Sequence, residues 1–171
     1  MRLTLSFFLL VNFIFFTSCS SEEEHTPWVE GSWELTEWNL DFEVDLNEDG
    51  IKNFNLLNEI DCSNSEVIKF DSNKIFTSII THQPKIIGIA SAEIDTLFFT
   101  VECSEGSIGV TGLHYNQNDT LIKVDENDDI VYVRKENILL KHDFNIIKVY
   151  NKDLTEIIST LGTTKVFRKI D

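Results

Sequence analysis

The chain has 171 residues, and its 29 Asp and Glu residues against 14 Lys and Arg residues give a formal net charge of −15 at pH 7. A chain of this length suits one ordinary domain that is large enough to bury a hydrophobic core. A surface this negative repels phosphate backbones, which argues against a nucleic-acid partner and for either divalent cations or plain solubility.

The first segment, residues 1–18, has the composition of an export signal. Arg2 precedes an apolar run over residues 3–16, which is too short to span a membrane comfortably. The run ends in Phe16-Thr17-Ser18-Cys19, which resembles the lipobox of bacterial lipoproteins, where small residues precede a cysteine that is lipidated and becomes the mature N-terminus. The resemblance predicts a lipid anchor on Cys19 and therefore a membrane partner. A buried or disulfide-bonded Cys19 is the alternative.

The next stretch, Ser20-Ser21-Glu22-Glu23-Glu24, resembles the acidic signal that directs lipoproteins of the Bacteroidetes group to the outer face of the outer membrane. A solvated, extended tether is an alternative compatible with that role, because neighbouring like charges repel each other. We therefore expect a signal peptide over residues 1–18, a lipidated tether over residues 19–27 and one domain over residues 28–171. The expected location is the outer membrane, at the cell surface.

Two further cysteines, Cys62 and Cys103, remain once Cys19 carries the lipid. A disulfide can persist in a protein that is exported to an oxidising compartment, so we predict that these two residues are bridged. The chain has no C-x-x-C motif and no paired histidines, which argues against a zinc site.

Residues 28–40 are predicted to form the first strand of an antiparallel β domain. Val29, Gly31, Trp33 and Leu35 alternate with other residues at the period of two that is typical of a half-buried strand. The apolar positions change parity at Glu37-Trp38, which a β-bulge or the end of the strand would explain.

Gly31-Ser32-Trp33 in this strand resembles the Gly-x-Trp motif of the lipocalins, whose tryptophan plugs one end of an eight-stranded barrel. Taken with the lipobox, the chain is similar to the lipocalin-like lipoproteins of Bacteroidetes. The resemblance covers residues 28–170 and implies a barrel that binds a small hydrophobic ligand. The alternative is that Trp33 is an ordinary core aromatic residue.

Short β-rich segments separated by turn residues continue towards the C-terminus. The predicted strands cover residues 67–70, 74–80, 85–90, 93–101, 108–113, 121–124, 130–134, 138–141, 144–150 and 164–168. This spacing favours a barrel or a sandwich. Together with the resemblance, it predicts an all-β, lipocalin-like, antiparallel up-and-down barrel of about eight strands.

Residues 153–162 interrupt the β pattern. Four apolar residues recur there at helical spacing, Asp153 and Glu156 fit a capping box, and Gly162 stands where a helix would stop. The isoleucines and threonines of the same segment are good strand formers. A short C-terminal helix and a strand therefore both remain open for this segment.

The strongest local motif lies between the first strand and Cys62. Asp45-x-Asn47-x-Asp49-Gly50 reproduces the opening of an EF-hand-type calcium loop, in which alternate oxygens converge on a hard cation and the glycine allows a sharp turn. Leu56 stands where such a loop has its bidentate glutamate. The predicted ligands of a structural calcium ion are Asp45, Asn47, Asp49, the carbonyl of Ile51, Asn53 and Glu59. A polar turn between strands is the alternative.

Catalytic signatures find little support in the sequence. The four histidines, His25, His82, His114 and His142, are scattered along the chain and share no catalytic motif with a carboxylate. The chain contains no Gly-x-Ser-x-Gly elbow, phosphate-binding glycine loop or His-Glu-x-x-His motif. We therefore expect no enzyme activity, and a hydrolase triad assembled in space is the catalytic alternative.

Two non-catalytic functions remain. The leading hypothesis is a monomeric cell-surface lipoprotein whose barrel binds a small hydrophobic ligand, as barrels of this size can. The sequence identifies no residues that would bind that ligand. The alternative is a calcium-stabilised structural or interaction module whose numerous phenylalanines fill the barrel and leave no ligand cavity.

Overall fold

The computed structural model describes residues 28–62, 65–81, 84–91, 96–104, 106–125 and 130–170. The predicted signal peptide, the tether with Cys19, His25 and His82 lie outside the described residues.

Eleven strands account for most of the described chain. Their bounds are β1 Gly31–Val44, β2 Asn53–Asn55, β3 Ser65–Phe70, β4 Ile75–Thr81, β5 Pro84–Ser91, β6 Thr96–Cys103, β7 Ser107–Asn118, β8 Leu121–Val124, β9 Ile130–Lys135, β10 Ile138–Tyr150 and β11 Ile157–Ile170. A single 3₁₀ turn, Leu56–Asn58, follows β2. The predicted all-β class is therefore confirmed.

Eight of these strands form a closed barrel. They pair in the order β1-β3-β4-β7-β8-β9-β10-β11, each neighbour is antiparallel, and β11 pairs back onto β1. Each barrel strand thus lies beside the next barrel strand in the chain, which is the up-and-down topology that the sequence predicts. Closure gives every barrel strand a paired neighbour on each side.

The predicted change of parity in the first strand is a β-bulge. The register between β1 and β11 shifts between Leu35 and Glu37, so Trp33, Leu35, Trp38 and Leu40 are all buried. The strand continues through the bulge, because an extra residue on one strand re-aims the following side chains without ending the pairing.

The barrel has two different ends. The tight turns β3–β4, β7–β8 and β9–β10 lie at the end where β1 begins, which we call the closed end. The opposite end, which we call the open end, carries the hairpin of β5 and β6. This hairpin joins the barrel through a short parallel pairing of β5 with β10, where Gly88 lies opposite Val149. A Cβ on Gly88 would approach the Val149 side chain to 3.0 Å, so glycine allows the close contact.

The predicted disulfide is present. Cys62, just before β3, is bonded to Cys103, the last residue of β6, with their Cα atoms 5.5 Å apart. The bond therefore ties the β5–β6 hairpin to the segment that enters the barrel.

The alternative of a helix over residues 153–162 is wrong. Residues 151–156 form a turn, and β11 begins at Ile157. The Asn151 side chain accepts hydrogen bonds from the backbone amides of Thr155 and Glu156, and Leu154 has φ of +56°. The following residues then extend against β10, where cross-strand pairing outweighs the helical spacing. Pairing also joins the two segments predicted at 138–141 and 144–150 into the single strand β10.

Within the described ranges, no helix has the length and hydrophobicity that crossing a bilayer requires.

Candidate functional site

Aromatic side chains fill the closed half of the barrel. The ring centroid of Phe70 lies 5.2 Å from that of Phe76 and 5.0 Å from that of Tyr115, and Tyr132 lies 5.8 Å from Phe167. Trp33 belongs to the same buried cluster, and its indole N–H donates to the carbonyl of Val29. Tilted and edge-to-face rings at these distances are closely packed, so aromatic side chains occupy the interior of this half.

The open half of the barrel contains a cavity of about 420 Å³. The β5–β6 hairpin covers one side of it, and strands β1, β4, β7, β10 and β11 supply the rest. Its apolar lining residues are Trp38, Ile80, Pro84, Ile86, Ile108, Ile146 and Ile147, and its polar lining residues are Lys85, Ser104 and Lys165.

Small and aliphatic side chains on β4 and β7 explain why this half is open. Phe76, Ser78 and Ile80 occupy alternate positions of β4, and Ser78 and Ile80 are paired with Val110 and Ile108 of β7. Paired residues point to the same face of a sheet, and Ile80 and Ile108 both line the cavity. Ile108 is nevertheless 55% exposed, so part of this wall is open to solvent.

A buried ion pair lies beside the cavity. Lys165 on β11, which is 9% exposed, places its Nζ 2.5 Å from Oε2 of Glu66 on β3, which is 2% exposed. The same Nζ lies 5.4 Å from the ring centroid of Trp38, within the range of a cation–π interaction. The Trp38 indole N–H in turn donates to Oγ1 of Thr163 at 2.8 Å. These contacts hold the ammonium group at the cavity wall.

A second ion pair lies on the neighbouring strand. Nζ of Lys141 on β10 is 2.8 Å from Oδ1 of Asp143, and these two residues are paired with Lys165 and Thr163 of β11. Oδ2 of Asp143 is buried and has no hydrogen-bond partner among the described residues. The barrel interior thus changes from aromatic to charged along the same strands.

Tyr132 lies close enough to the carboxylates of Glu66 and Asp143 to be affected by their charges. Burial raises the pKa of Tyr132 well above its ordinary value, and the negative charges of Glu66 and Asp143 add to that rise. The tyrosine therefore lies where the aromatic cluster meets the charged groups.

The predicted calcium loop forms the expected turn. The carboxylate of Asp45 accepts a hydrogen bond from the amide of Gly50, which has φ of +85°, a conformation that favours glycine. The side chains of Asn47 and Asp49 accept from the amides of Asp49 and Ile51. The loop thus brings Asp45, Asn47 and Asp49 together on one short segment.

Glu59 lies beneath this loop and is 1% exposed. Its carboxylate accepts hydrogen bonds from the amide of Leu46, at 2.8 Å, and from the side chain of Asn53. Two of the predicted calcium ligands, Asn53 and Glu59, are therefore hydrogen-bonded to each other. Oδ1 of Asp45 is buried and without a hydrogen-bond partner among the described residues, and a cation is the kind of group that such an oxygen attracts.

In the described ranges, no three side chains of His, Cys, Asp or Glu converge on a metal-sized space. The predicted calcium ligands comprise three carboxylates, two side-chain amides and one backbone carbonyl. A calcium-binding measurement tests this prediction. His142 on β10 is hydrogen-bonded to Thr164 of β11, and His114 lies on β7 with its side chain exposed.

The sequence did not identify Glu66 and Lys165 as site residues. A signal for both was present, because Glu66 shares the strand parity of Ile68 and Phe70, and Lys165 shares that of Phe167. A charged residue in an apolar row of a strand marks a buried charge that needs a partner. The partner itself lies 99 residues away in the chain, beyond the reach of local patterns.

Compared with protein-family models, with curated proteins and with solved structures, the chain matches none of them.

Proposed function

We propose that this protein is a lipid-anchored cell-surface lipoprotein whose barrel binds a small hydrophobic ligand in the cavity at its open end. The observation that carries the proposal is the cavity of about 420 Å³, with seven apolar lining residues and a few polar ones. Ligand sites typically have about 300–1,000 Å³ and combine apolar walls with a few polar groups that fix orientation.

The anchor and the cavity would lie at opposite ends of the domain. The described chain begins at Trp28, whose indole N–H donates to the carbonyl of Asp119 in the β7–β8 turn of the closed end. A tether over residues 19–27 with a lipid on Cys19 would therefore attach the closed end to the membrane. The cavity would then open away from the membrane, towards solvent and soluble ligand.

Filling the cavity tests the ligand site. Ile80 lines the cavity, whereas Ile79, its neighbour on β4, points to the opposite face and is 49% exposed. We expect Ile80→Trp to weaken binding of the uncharged dye N-phenyl-1-naphthylamine by at least about tenfold, measured by fluorescence titration. The matched control Ile79→Trp should bind the dye as the unaltered protein does. An unaltered protein that does not bind the dye, or equal binding by both variants, would contradict the proposal.

The anchor has a separate test. Metabolic labelling with a radioactive fatty acid should mark the unaltered chain and not Cys19→Ala, and protease added to intact cells should degrade the labelled protein. Absence of the label would remove the anchor from the proposal, and protection from protease would remove the surface location.

A calcium-stabilised surface module is the second candidate, in which the open end carries no ligand. Oδ1 of Asp45, buried and without a hydrogen-bond partner in the part of the chain that the structure describes, favours it. The predicted ligands Asp45, Asn47, Asp49, Ile51, Asn53 and Glu59 would hold the ion. Calcium would supply charge neutralisation and order to this acidic loop. In this candidate, calcium binding depends on the negative charge of Asp45.

Asp45→Asn removes that charge and keeps an oxygen that can accept from Gly50. Its matched control is Glu48→Gln, the same change on an exposed residue of the same loop. Calcium at a hundredfold excess over its dissociation constant should stabilise the unaltered protein by about 2.7 kcal/mol, measured as a rise in melting temperature that a chelator reverses. We expect Asp45→Asn to lose most of this rise and Glu48→Gln to keep it. A melting temperature that calcium leaves unchanged would exclude this candidate.

A further inference from the structure

We infer that the cavity selects amphipathic ligands whose polar group is uncharged and carries a hydroxyl, placed against Lys165. This inference rests on the proposed ligand-binding function and specifies the class of ligand.

Lys165 supplies the polar contact. Its ammonium group is held between the Trp38 ring and the carboxylate of Glu66, and it belongs to the lining of the cavity. An ammonium group has three N–H donors, so a ligand oxygen can accept from Nζ while Glu66 keeps its own hydrogen bond. A hydrogen bond from a charged donor is stronger than one between neutral groups. A ligand with an oxygen beside Lys165 therefore binds more tightly than a plain hydrocarbon of the same size.

The charges around Lys165 are already balanced, which favours a ligand whose polar group is neutral. Glu66 compensates Lys165, and Asp143 compensates Lys141 on the next strand. At the rim, Lys85 is paired with Glu102 in solvent. A carboxylate or an ammonium on the ligand would be an additional charge beside one buried and one partly buried pair, each already matched. Taking such a charge out of water without a partner is costly.

A hydroxyl group suits this part of the cavity, because its oxygen accepts a hydrogen bond from Lys165 and it adds no charge. The walls nearer the mouth, which include Ile80, Ile108 and Ile146, suit the hydrocarbon part. A long-chain alcohol therefore matches the cavity better than the acid or the amine of the same chain.

The test compares decanol, decanoate and decylamine as competitors of N-phenyl-1-naphthylamine on the full chain at neutral pH. The three differ only in the polar group. We expect decanol to bind at least about tenfold more tightly than either charged analogue. Decanoate or decylamine binding as tightly as decanol would overturn the inference while leaving ligand binding intact. A protein that binds neither the dye nor any of the three would instead refute the proposed function.

Charge variants locate the selectivity. Glu66→Gln leaves the Lys165 charge uncompensated, so we expect the preference to shift towards decanoate by about tenfold or more. The matched control is Glu102→Gln, which makes the same change in the exposed pair with Lys85. Lys85 also lines the cavity, but solvent screens its charge, so this variant should shift the preference much less than Glu66→Gln does. Equal shifts in the two variants would overturn the role of the buried pair.

The double variant Glu66→Gln with Lys165→Met covers the case in which Glu66→Gln does not fold. It removes both charges and keeps the side chains long, so the barrel should remain folded and bind the dye. We expect its affinity for decanol, relative to its affinity for the dye, to be at least about tenfold lower than in the unaltered protein. An unchanged ratio would show that Lys165 does not contact the polar group.

Discussion

The closed and open halves of this barrel share six strands, β1, β3, β4, β7, β10 and β11, and differ in what those strands place inside. In the closed half, inward positions carry Trp33, Phe70, Phe76, Tyr115 and Phe167, and the rings pack against one another. In the open half, the same strands continue with Glu66, Ser78 and Lys165, and a cavity remains. The number of strands therefore permits a cavity, but the size of the inward side chains decides whether it exists.

The comparison also separates stability from binding. Aromatic packing in the closed half removes a large apolar area from water, which stabilises the fold. The open half leaves part of its apolar surface exposed, as at Ile108. A surface of this kind contributes less to folding and is available to a ligand.

The largest expected effect is the loss of stability on removing a ring from the closed half. Phe70 is buried and contacts three aromatic rings, so Phe70→Ala should cost about 3–5 kcal/mol in the free energy of unfolding. Ile108→Ala, its counterpart in the open half, should cost less than about 1 kcal/mol, because that side chain is half exposed. Urea unfolding monitored by circular dichroism measures both.

The same two variants should rank in the opposite order in dye binding. Ile108→Ala removes part of the cavity wall and should measurably weaken binding of N-phenyl-1-naphthylamine. Folded Phe70→Ala should retain most of its affinity for the dye. Similar stability losses in the two variants would contradict the division of the barrel into a packed and an open half.

Removal of the disulfide should have the next largest effect. Cys62 and Cys103 are separated by 41 residues, and a loop of that length corresponds to roughly 4 kcal/mol of stabilisation in the chain-entropy model. The hairpin that this bond ties down supplies Pro84 and Ile86 to the cavity. The variant Cys62→Ser with Cys103→Ser should therefore melt at a lower temperature and bind the dye more weakly.

Reduction of the unaltered protein is the control for that variant. Reduced protein should behave like the double serine variant, and the double variant itself should not respond to reductant. Dye affinity that stays unchanged although the melting temperature falls would show that the hairpin keeps its position without the bond.

The smallest effect concerns Tyr132, where the two halves meet. Burial, followed by the charges of Glu66 and Asp143, raises its pKa well above the ordinary value. The folded state then holds this proton more tightly than the unfolded state, so the contribution is complete below about pH 10 and is lost as the pH rises through the folded-state pKa. The free energy of unfolding should therefore fall above about pH 10 with a slope of up to about 1.4 kcal/mol per pH unit.

Tyr132→Phe should flatten that alkaline decline. Absorbance of tyrosinate near its maximum follows the titration, and thermal melting follows stability over the same pH range. An alkaline slope that Tyr132→Phe leaves unchanged would assign the decline to other groups.

Several features could be predicted from the sequence because their causes are local. Alternation along β1, the parity change at the bulge and the turn at Asp45–Gly50 each depend on residues within a few positions of one another. The segment around Ile157 remained ambiguous for the same reason: its spacing suits a helix and its β-branched residues suit a strand. The long partner strand β10, and not the local sequence, resolves that ambiguity.

The all-β class follows from local sequence, because the period-two pattern and the turn residues lie within each segment. The up-and-down order of strands was implied by the resemblance to the lipocalins, and the pairing of Cys62 with Cys103 by the assignment of Cys19 to the lipid. The division into a packed and an open half depends instead on tertiary contacts. That difference depends on side chains from five strands meeting across the interior. It also depends on Glu66 and Lys165, which lie 99 residues apart in the chain and 2.5 Å apart in the fold. Closure of the barrel brings such residues together, and no local pattern contains that information.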